Sequence, residues 1–201
     1  MIAIALTLAS ALAAPVDAPE PLGLRVAPRA VVEAWTRDPA LSEVYANGGP
    51  MMALGVVVPV RGGLALSLEG AYGRFRAGGA ETGALLQVTP VSVLIEYAGG
   101  TDRTQGFVDL GPSFVSFAEQ GGAVGTRVMG TLRAGVRIDT GLVVPAMAPA
   151  PSPVRALELE IGGGRRVRSP GRLNHYGEDP AALTGFNFNA WQLTIGLGVR
   201  L

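Results

Sequence analysis

The chain consists largely of segments in which apolar and polar residues alternate with a period of two. The clearest is WQLTIGLGVRL at residues 191–201, where Trp191, Leu193 and Ile195 share one face while Gln192 and Thr194 share the other. Because successive side chains of a β-strand point to opposite faces, this period predicts strands. Clusters of Gly, Pro, Asn and Asp separate the segments. The eight predicted strands are residues 24–35, 51–60, 64–75, 83–97, 106–117, 126–138, 154–164 and 191–201.

The connections between the predicted strands differ in length on the two sides of the sheet. Long loops on one side and tighter turns on the other are typical of an antiparallel transmembrane β-barrel. Residues 139–153, DTGLVVPAMAPAPSP, are too long for a tight turn, so we expect a strand extension followed by a Pro-rich hairpin. The first side has residues 36–50, 76–82, 118–125 and 165–189, and the second has residues 61–63, 98–105 and 139–153.

One face of the predicted strands is almost purely aliphatic, and the other carries charge in equal numbers of both signs. The period alone does not show which face is inside. An eight-stranded barrel is just wide enough to be filled by side chains, so we expect a lumen charge network with lipid outside. Buried arginines require carboxylate partners. The network comprises Arg25, Arg29, Arg127, Arg133, Arg137 and Arg200 with Glu33, Glu69, Glu96, Asp109, Glu158 and Glu160.

Composition excludes several classes of function. With 16 Lys+Arg against 16 Asp+Glu, the chain lacks the basic excess with which a nucleic-acid binder neutralises phosphates. It has no cysteine, which excludes a disulfide framework and a thiolate metal site. All of its basic residues are Arg, so a P-loop or a Schiff base on Lys is also excluded.

The N-terminus has the features of an export signal. Residues 2–13 form an apolar run that is too short to span a bilayer as a helix. Ala11-Leu12-Ala13 fits the small-residue rule for cleavage after Ala13. We expect residues 1–13 to be a signal peptide, 14–22 a Pro-rich segment and 23–201 the barrel. The alternative is a buried N-terminal helix of a soluble protein.

Candidate catalytic groups are few. His175 is the only histidine, and a lipid deacylase would need a nucleophilic Ser and an orienting carboxylate beside it. Glu178 and Asp179 are close in sequence, but no Ser stands next to His175 in a deacylase-like motif. One His without companion ligands does not make a metal site. We therefore expect no catalysis, no cofactor and no metal.

The eight segments, FVDLGPSFVSF at 107–117, LRAGVRI at 132–138 and the final WQLTIGLGVRL together resemble the OmpA/OmpX-like small barrels of Gram-negative outer membranes. The resemblance covers residues 23–201. It implies an all-β, eight-stranded antiparallel up-and-down transmembrane barrel, inserted by the barrel assembly machinery and surrounded by outer-membrane lipid. Aromatic residues near predicted strand ends are expected at the two membrane interfaces. They are Trp35, Tyr72, Tyr97, Phe107, Phe117 and Trp191.

Four arginines follow the seventh predicted strand, at the expected outer surface: Arg165, Arg166, Arg168 and Arg172. Guanidinium groups bind phosphate bidentately, and lipopolysaccharide carries phosphates at that level. We expect lipopolysaccharide-phosphate contacts here, with solvated loop charges as the alternative.

The predicted function is a structural or surface-interaction role through the extracellular loops, whose partner the sequence does not identify. Two alternatives stay open. One is a narrow solute-transport barrel, which the paired lumen charges would obstruct. The other is a soluble periplasmic lipocalin-like carrier whose aliphatic face points inward.

Overall fold

The computed structural model describes residues 23–35, 48–76, 85–101, 103–119, 124–141, 156–168, 175–176 and 189–201. The expected signal peptide and Pro-rich segment, Arg172 and most of the predicted long loops lie outside these ranges. No helix within them is long and apolar enough to cross a membrane. The strands are β1 (Arg25–Trp35), β2 (Gly48–Arg61), β3 (Leu64–Arg76), β4 (Leu85–Gly100), β5 (Thr104–Glu119), β6 (Val124–Asp139), β7 (Ala156–Arg168), β8 (His175–Tyr176) and β9 (Ala190–Arg200).

Eight of these strands form a closed antiparallel ring. Strands β1 to β7 pair consecutively, β7 pairs with β9, and β9 pairs with β1. The two-residue strand β8 pairs with β6 outside the ring. The predicted eight-stranded, up-and-down barrel is therefore confirmed. We call the end where β2 meets β3 and β4 meets β5 the turn end, and the opposite end the loop end.

The tightest connection at the turn end is Gly62-Gly63, between β2 and β3. Both residues have positive φ, 60° for Gly62 and 81° for Gly63. A two-residue turn whose twist matches the flanking strands requires this backbone conformation at both positions, and glycine adopts it without steric cost.

Several strands extend further than predicted, and β7 shows why. It reaches Arg168 and stays paired with β6 from Glu158 to that end. The run Gly162-Gly163-Gly164 has no side chains to display the alternation, so the sequence period stops there although the strand continues. As a correction, Arg165, Arg166 and Arg168 belong to β7 and not to a loop.

Exposure alternates along each barrel strand, with the aliphatic face outside. In β1, Arg29 and Glu33 are buried while Val32 is exposed. The soluble-carrier alternative, which needs the aliphatic face inside, is therefore wrong for this fold. Representative exposed apolar side chains from around the ring are Val32, Leu54, Leu68, Ile95, Leu110, Leu132, Ile161 and Leu193.

Three of the six aromatic residues expected at the membrane interfaces point into the barrel instead. Trp35, Phe107 and Phe117 are all buried, whereas Tyr72 and Trp191 face outward. The period of two accounts for the difference, because Phe107 shares its face with the buried Asp109. The direction of an aromatic side chain follows from its position within the alternation, and proximity to a strand end was the wrong criterion for it.

The interior is divided into two halves of different chemistry. Toward the loop end, buried apolar side chains pack together; this apolar half was not predicted. Toward the turn end lie most of the buried charges, which we call the charged half. The apolar half comprises Val31, Trp35, Met51, Ala53, Ala71, Phe75, Leu86, Val88, Val115, Phe117, Met129 and Ala190. The charged half comprises Arg25, Arg29, Glu69, Glu96, Asp109, Arg133, Arg137, Glu158 and Glu160.

A row of hydroxyl groups lies between the two halves. Ser92, Ser113 and Thr131 occupy neighbouring strands, and all three are buried. The Ser113 hydroxyl lies 2.6 Å from the Ser92 hydroxyl and 2.6 Å from the Thr131 hydroxyl. Each hydroxyl can act as donor and acceptor, so the row satisfies its own hydrogen-bonding groups where no charge is present.

Inward-facing glycines leave room for long side chains on the neighbouring strand. A Cβ at Gly164 would lie 2.3 Å from the carbonyl oxygen of Leu132 and 2.6 Å from Cγ of Arg133. A Cβ at Gly55 would lie 2.5 Å from Nη1 of Arg29. In a lumen of fixed width, small residues beside large ones are what allow the arginines to fit.

We expect Gly164→Ala to destabilise the barrel and Gly163→Ala to leave its stability nearly unchanged. The Gly164 methyl group would collide with backbone atoms, at a cost of about 1–3 kcal/mol. The adjacent Gly163 faces outward, where a Cβ would make an ordinary 3.4 Å contact with the Gln192 carbonyl oxygen. Urea unfolding of the folded protein in lipid vesicles measures both values. Equal stability of the two variants would contradict the packing argument.

Candidate functional site

The Glu160 carboxylate is the centre of the charged half. It is almost completely buried and forms ion pairs with three arginines. Arg29 places Nε 2.7 Å from Oε1, and Arg137 places Nε 3.3 Å from Oε2. Arg25 pairs with the same carboxylate through Nη2. Strands β1, β6 and β7 are therefore tied together through one side chain.

Arg133, on β6, pairs with two further carboxylates, Glu69 on β3 and Asp109 on β5. Its Nη1 donates to both carboxylate oxygens of Glu69, at 2.8 and 2.7 Å. Its Nη2 donates to Oδ2 of Asp109 at 2.7 Å. Because Glu69 also pairs with Arg29, the ion pairs run without a break from Asp109 to Glu160.

Arg137 extends the network to Glu96 and to an aromatic ring. Its two terminal nitrogens donate to the two oxygens of Glu96, a bidentate fork that fixes the guanidinium plane. The guanidinium carbon also lies 4.2 Å from the centre of the Phe107 ring. A cation over an aromatic face gains electrostatic stabilisation, more so away from water. Phe107 therefore supports the network from inside the barrel.

At the turn end the network reaches the solvent. Arg200 lies 3.6 Å from Glu158 and 3.8 Å from Asp139, and the Arg200 and Asp139 side chains are 23% and 25% exposed. A cavity of about 30 Å³ opens here between Arg25, Arg137 and the Glu158–Arg200 pair. Since one water needs roughly 10–15 Å³, this space suits two or three waters.

A separate ion pair lies toward the loop end. Arg166 pairs with Glu33, whose Oε1 also accepts a hydrogen bond of 2.8 Å from Nε2 of Gln192. Arg166 is only 2% exposed. As a correction to the sequence expectation, its guanidinium therefore does not face an external lipid phosphate. Continuing the period of two from Glu160 across the glycine run would have placed Arg166 on the inner face.

The remaining predicted site residues occupy different surroundings. Arg127 is fully buried in the lumen. Arg165 faces outward with its guanidinium carbon 5.3 Å from the centre of the Trp191 ring. The Arg168 side chain and Arg172 lie outside the described residues. The buried charges in the described ranges number six of each sign, with Arg166 in place of the more exposed Arg200.

In this arrangement the charged side chains hold one another in place through ion pairs. Within the described ranges, no group of three or more His, Cys, Asp or Glu side chains could hold a metal ion. The paired carboxylates of the network are occupied by arginine donors. The His175 backbone lies in β8 beside Thr126, and its side chain lies outside the described set.

We expect Glu160→Gln to lower the free energy of unfolding by about 3 kcal/mol, because three buried arginines lose a shared carboxylate. Asp139→Asn removes the same charge from a partly exposed pair and should cost about 0–1 kcal/mol. Urea titration of the folded barrel, followed by tryptophan fluorescence, measures both. A Glu160→Gln barrel as stable as Asp139→Asn would mean that the network is energetically neutral.

Comparison with known proteins agrees with this architecture. No family model and no curated protein matches the chain. Among solved structures, Neisserial surface protein A is similar at a TM-score of 0.57 and 12% identity, over 89% of this chain and 97% of that one. The N-terminal β-barrel domain of Pseudomonas aeruginosa OprF follows at 0.49 and 9%, over 88% and 97%. The chain therefore has the fold of the small eight-stranded outer-membrane β-barrels, the class that includes the OmpA/OmpX-like proteins.

Proposed function

We propose that the protein is a closed outer-membrane barrel that anchors surface loops for a structural or interaction role, without conducting solutes or catalysing a reaction. The observation that carries the proposal is the filled interior: a network of ion pairs occupies the charged half, and packed apolar side chains occupy the apolar half. A barrel filled in this way is a rigid support. Any recognition would then belong to its loops and its outer wall.

The outer wall supports a location in lipid. Large apolar side chains stand exposed on all eight barrel strands, among them Met52, Leu66 and Ile195. An apolar surface of this extent on a protein in water would promote aggregation. In a bilayer the same surface contacts acyl chains, and the closed ring leaves no unpaired sheet edge in the hydrocarbon. The similar Neisserial protein is itself named a surface protein.

A narrow transport path is the second candidate, and the cavity beside Arg25 and Arg200 favours it at the turn end alone. A solute entering there would have to separate the ion pairs of Glu160 and then displace the rings of Phe75 and Phe117. Two successive obstacles of different chemistry make a closed lumen the better proposal.

The protein should fractionate with the outer membrane and change gel mobility on boiling. In vesicles of brominated lipid, we expect strong quenching of Trp191, which faces outward, and weak quenching of Trp35, which is buried. The variants Trp35→Phe and Trp191→Phe isolate the two signals and serve as controls for each other. A heat-indifferent protein in the soluble periplasm, or no quenching of either tryptophan, would overturn the membrane location. Equal strong quenching of both would instead contradict the inward direction of Trp35.

In planar bilayers the wild-type barrel should carry no steady current. Phe75→Ala/Phe117→Ala opens only the apolar half, so it should also stay closed because the ion pairs remain. Single-channel recording tests both proteins, with protein-free detergent as the blank. A steady ohmic current through wild type would favour the transport alternative. Current through the double variant alone would show that the charged half does not close the lumen by itself.

A further inference from the structure

The outer wall differs between the two ends of the barrel. Toward the turn end it stays aliphatic almost to the connections, as at Val60, Leu64 and Ile138. Toward the loop end, polar side chains replace the aliphatic ones on adjacent strands. Thr89, Ser116 and Thr126 are paired neighbours on β4, β5 and β6, and Gln87 lies opposite Arg74 across β3 and β4.

Most of the exposed charges on the barrel strands also lie at the loop end. In the described ranges the exposed charged strand residues are Arg74, Arg76 and Arg165 at the loop end and Arg61 at the turn end, and none is a carboxylate. The carboxylates of the barrel strands instead lie on the inward face. The outer wall therefore presents more positive charge at the loop end, next to hydroxyl and amide groups.

Aromatic rings hold two of these arginines against the wall. The Arg74 guanidinium carbon lies 5.5 Å from the centre of the Tyr72 ring, and Nε donates to the Tyr72 hydroxyl. Arg165 lies over Trp191 in the same manner. A guanidinium has five N–H donors, so a single hydrogen bond to Tyr72 leaves most of them available to a ligand.

The arginines also stand at a defined depth. Arg74 is the eleventh residue of β3, and Arg165 is the tenth residue of β7. A tilted strand needs about 9–11 residues to cross the hydrocarbon. If the turn end lies at one interface, both guanidinium groups reach the other, where lipid headgroups carry their phosphates.

We propose that Arg74 and Arg76 on β3, and separately Arg165 on β7 at the opposite side of the ring, bind the phosphate groups of anionic glycolipid molecules in the leaflet at the loop end. The inference rests on the proposed membrane location. Arg74 and Arg76 share a face two residues apart, about 7 Å along the strand, so both can contact one phosphorylated headgroup. The adjacent hydroxyl and amide side chains suit sugar groups. They are fewer on the strands at the turn end, where Thr104 is exposed, and this difference matches a bilayer whose two leaflets differ.

The proposal replaces part of the sequence expectation for lipopolysaccharide phosphate. Arg165 is still expected to contact lipid phosphate, whereas Arg166 is not, because it is buried against Glu33. Arg74 and Arg76 enter because the closed ring brings β3 to the same membrane level as β7. They are far from Arg165 in sequence, so no local cluster of charge marks them.

The test compares Arg74→Gln/Arg76→Gln with Arg61→Gln/Arg103→Gln, which removes two exposed arginines at the turn end. Folded, heat-modifiable protein in detergent is titrated with lipid A, a diphosphorylated disaccharide lipid, and the bound fraction is read by native mass spectrometry. We expect the affinity for lipid A to fall about tenfold or more in the first variant. The control should stay within about twofold of wild type.

Three ligand arms identify the chemistry that is recognised. Lipid A stripped of phosphate should bind wild type weakly, and inorganic phosphate at millimolar concentration should not displace lipid A. Phosphatidylglycerol should bind less tightly than lipid A and depend less on Arg74 and Arg76. Tight phosphatidylglycerol binding with the same arginine dependence would overturn the glycolipid assignment, and competition by free phosphate would indicate a simple anion site.

A further variant tests the lipid site independently of the proposed function. Arg165→Gln tests the β7 position separately and should weaken lipid A binding in its own right. If all variants are heat-modifiable and fractionate with the outer membrane, yet bind lipid A as wild type does, the lipid site is wrong while the proposed function stands. If wild type does not reach the outer membrane, the proposed function itself fails.

Discussion

The closure of eight strands into one ring is the constraint on which the rest of this structure depends. Ring size sets the width of the interior, and at eight strands that width is filled by side chains alone. An arginine placed there loses its water and must find carboxylate oxygens at once. Glu160 receives three guanidinium groups because β1 (Arg25 and Arg29) and β6 (Arg137) both point arginines toward it in a narrow lumen.

The same constraint explains the glycine content. A long inward-facing side chain on one strand also occupies the space beside the neighbouring strand. Glycines such as Gly55 and Gly164 place no Cβ in that space, so the long side chain fits there. Charge balance and small residues are thus two parts of one packing solution. In the apolar half, packed rings fill most of the space, such as Trp35 and Phe75, whose centroids lie 4.6 Å apart. The buried charges toward that end are themselves paired, as Arg166 is with Glu33.

The inward and outward faces of the barrel wall have opposite chemistry, and this difference underlies the proposed function. Facing inward, the buried ion pairs join different strands, some of them distant in sequence, such as β3 and β6, and stiffen the ring. Facing outward, aliphatic residues give way to arginines and hydroxyls chiefly near the loop end, where Arg74, Arg76 and Arg165 are exposed. A rigid, filled barrel with one distinctive rim is suited to presenting groups at a membrane surface.

The sequence by itself determined the number of strands, the identity of their two faces and the balance of charge on one of them. These features follow from the period of two, which belongs to each segment by itself and can be read without knowing which strands pair. The same period also indicates the inward direction of Trp35 and Phe107, although their positions near strand ends suggested the membrane interfaces instead. Only the tertiary structure decided which carboxylate meets which arginine, since Arg133 on β6 reaches Glu69 on β3 across the lumen. It also decided the fate of Arg166, because backbone pairing with β6 carries β7 through three glycines that have no side chains to reveal the strand.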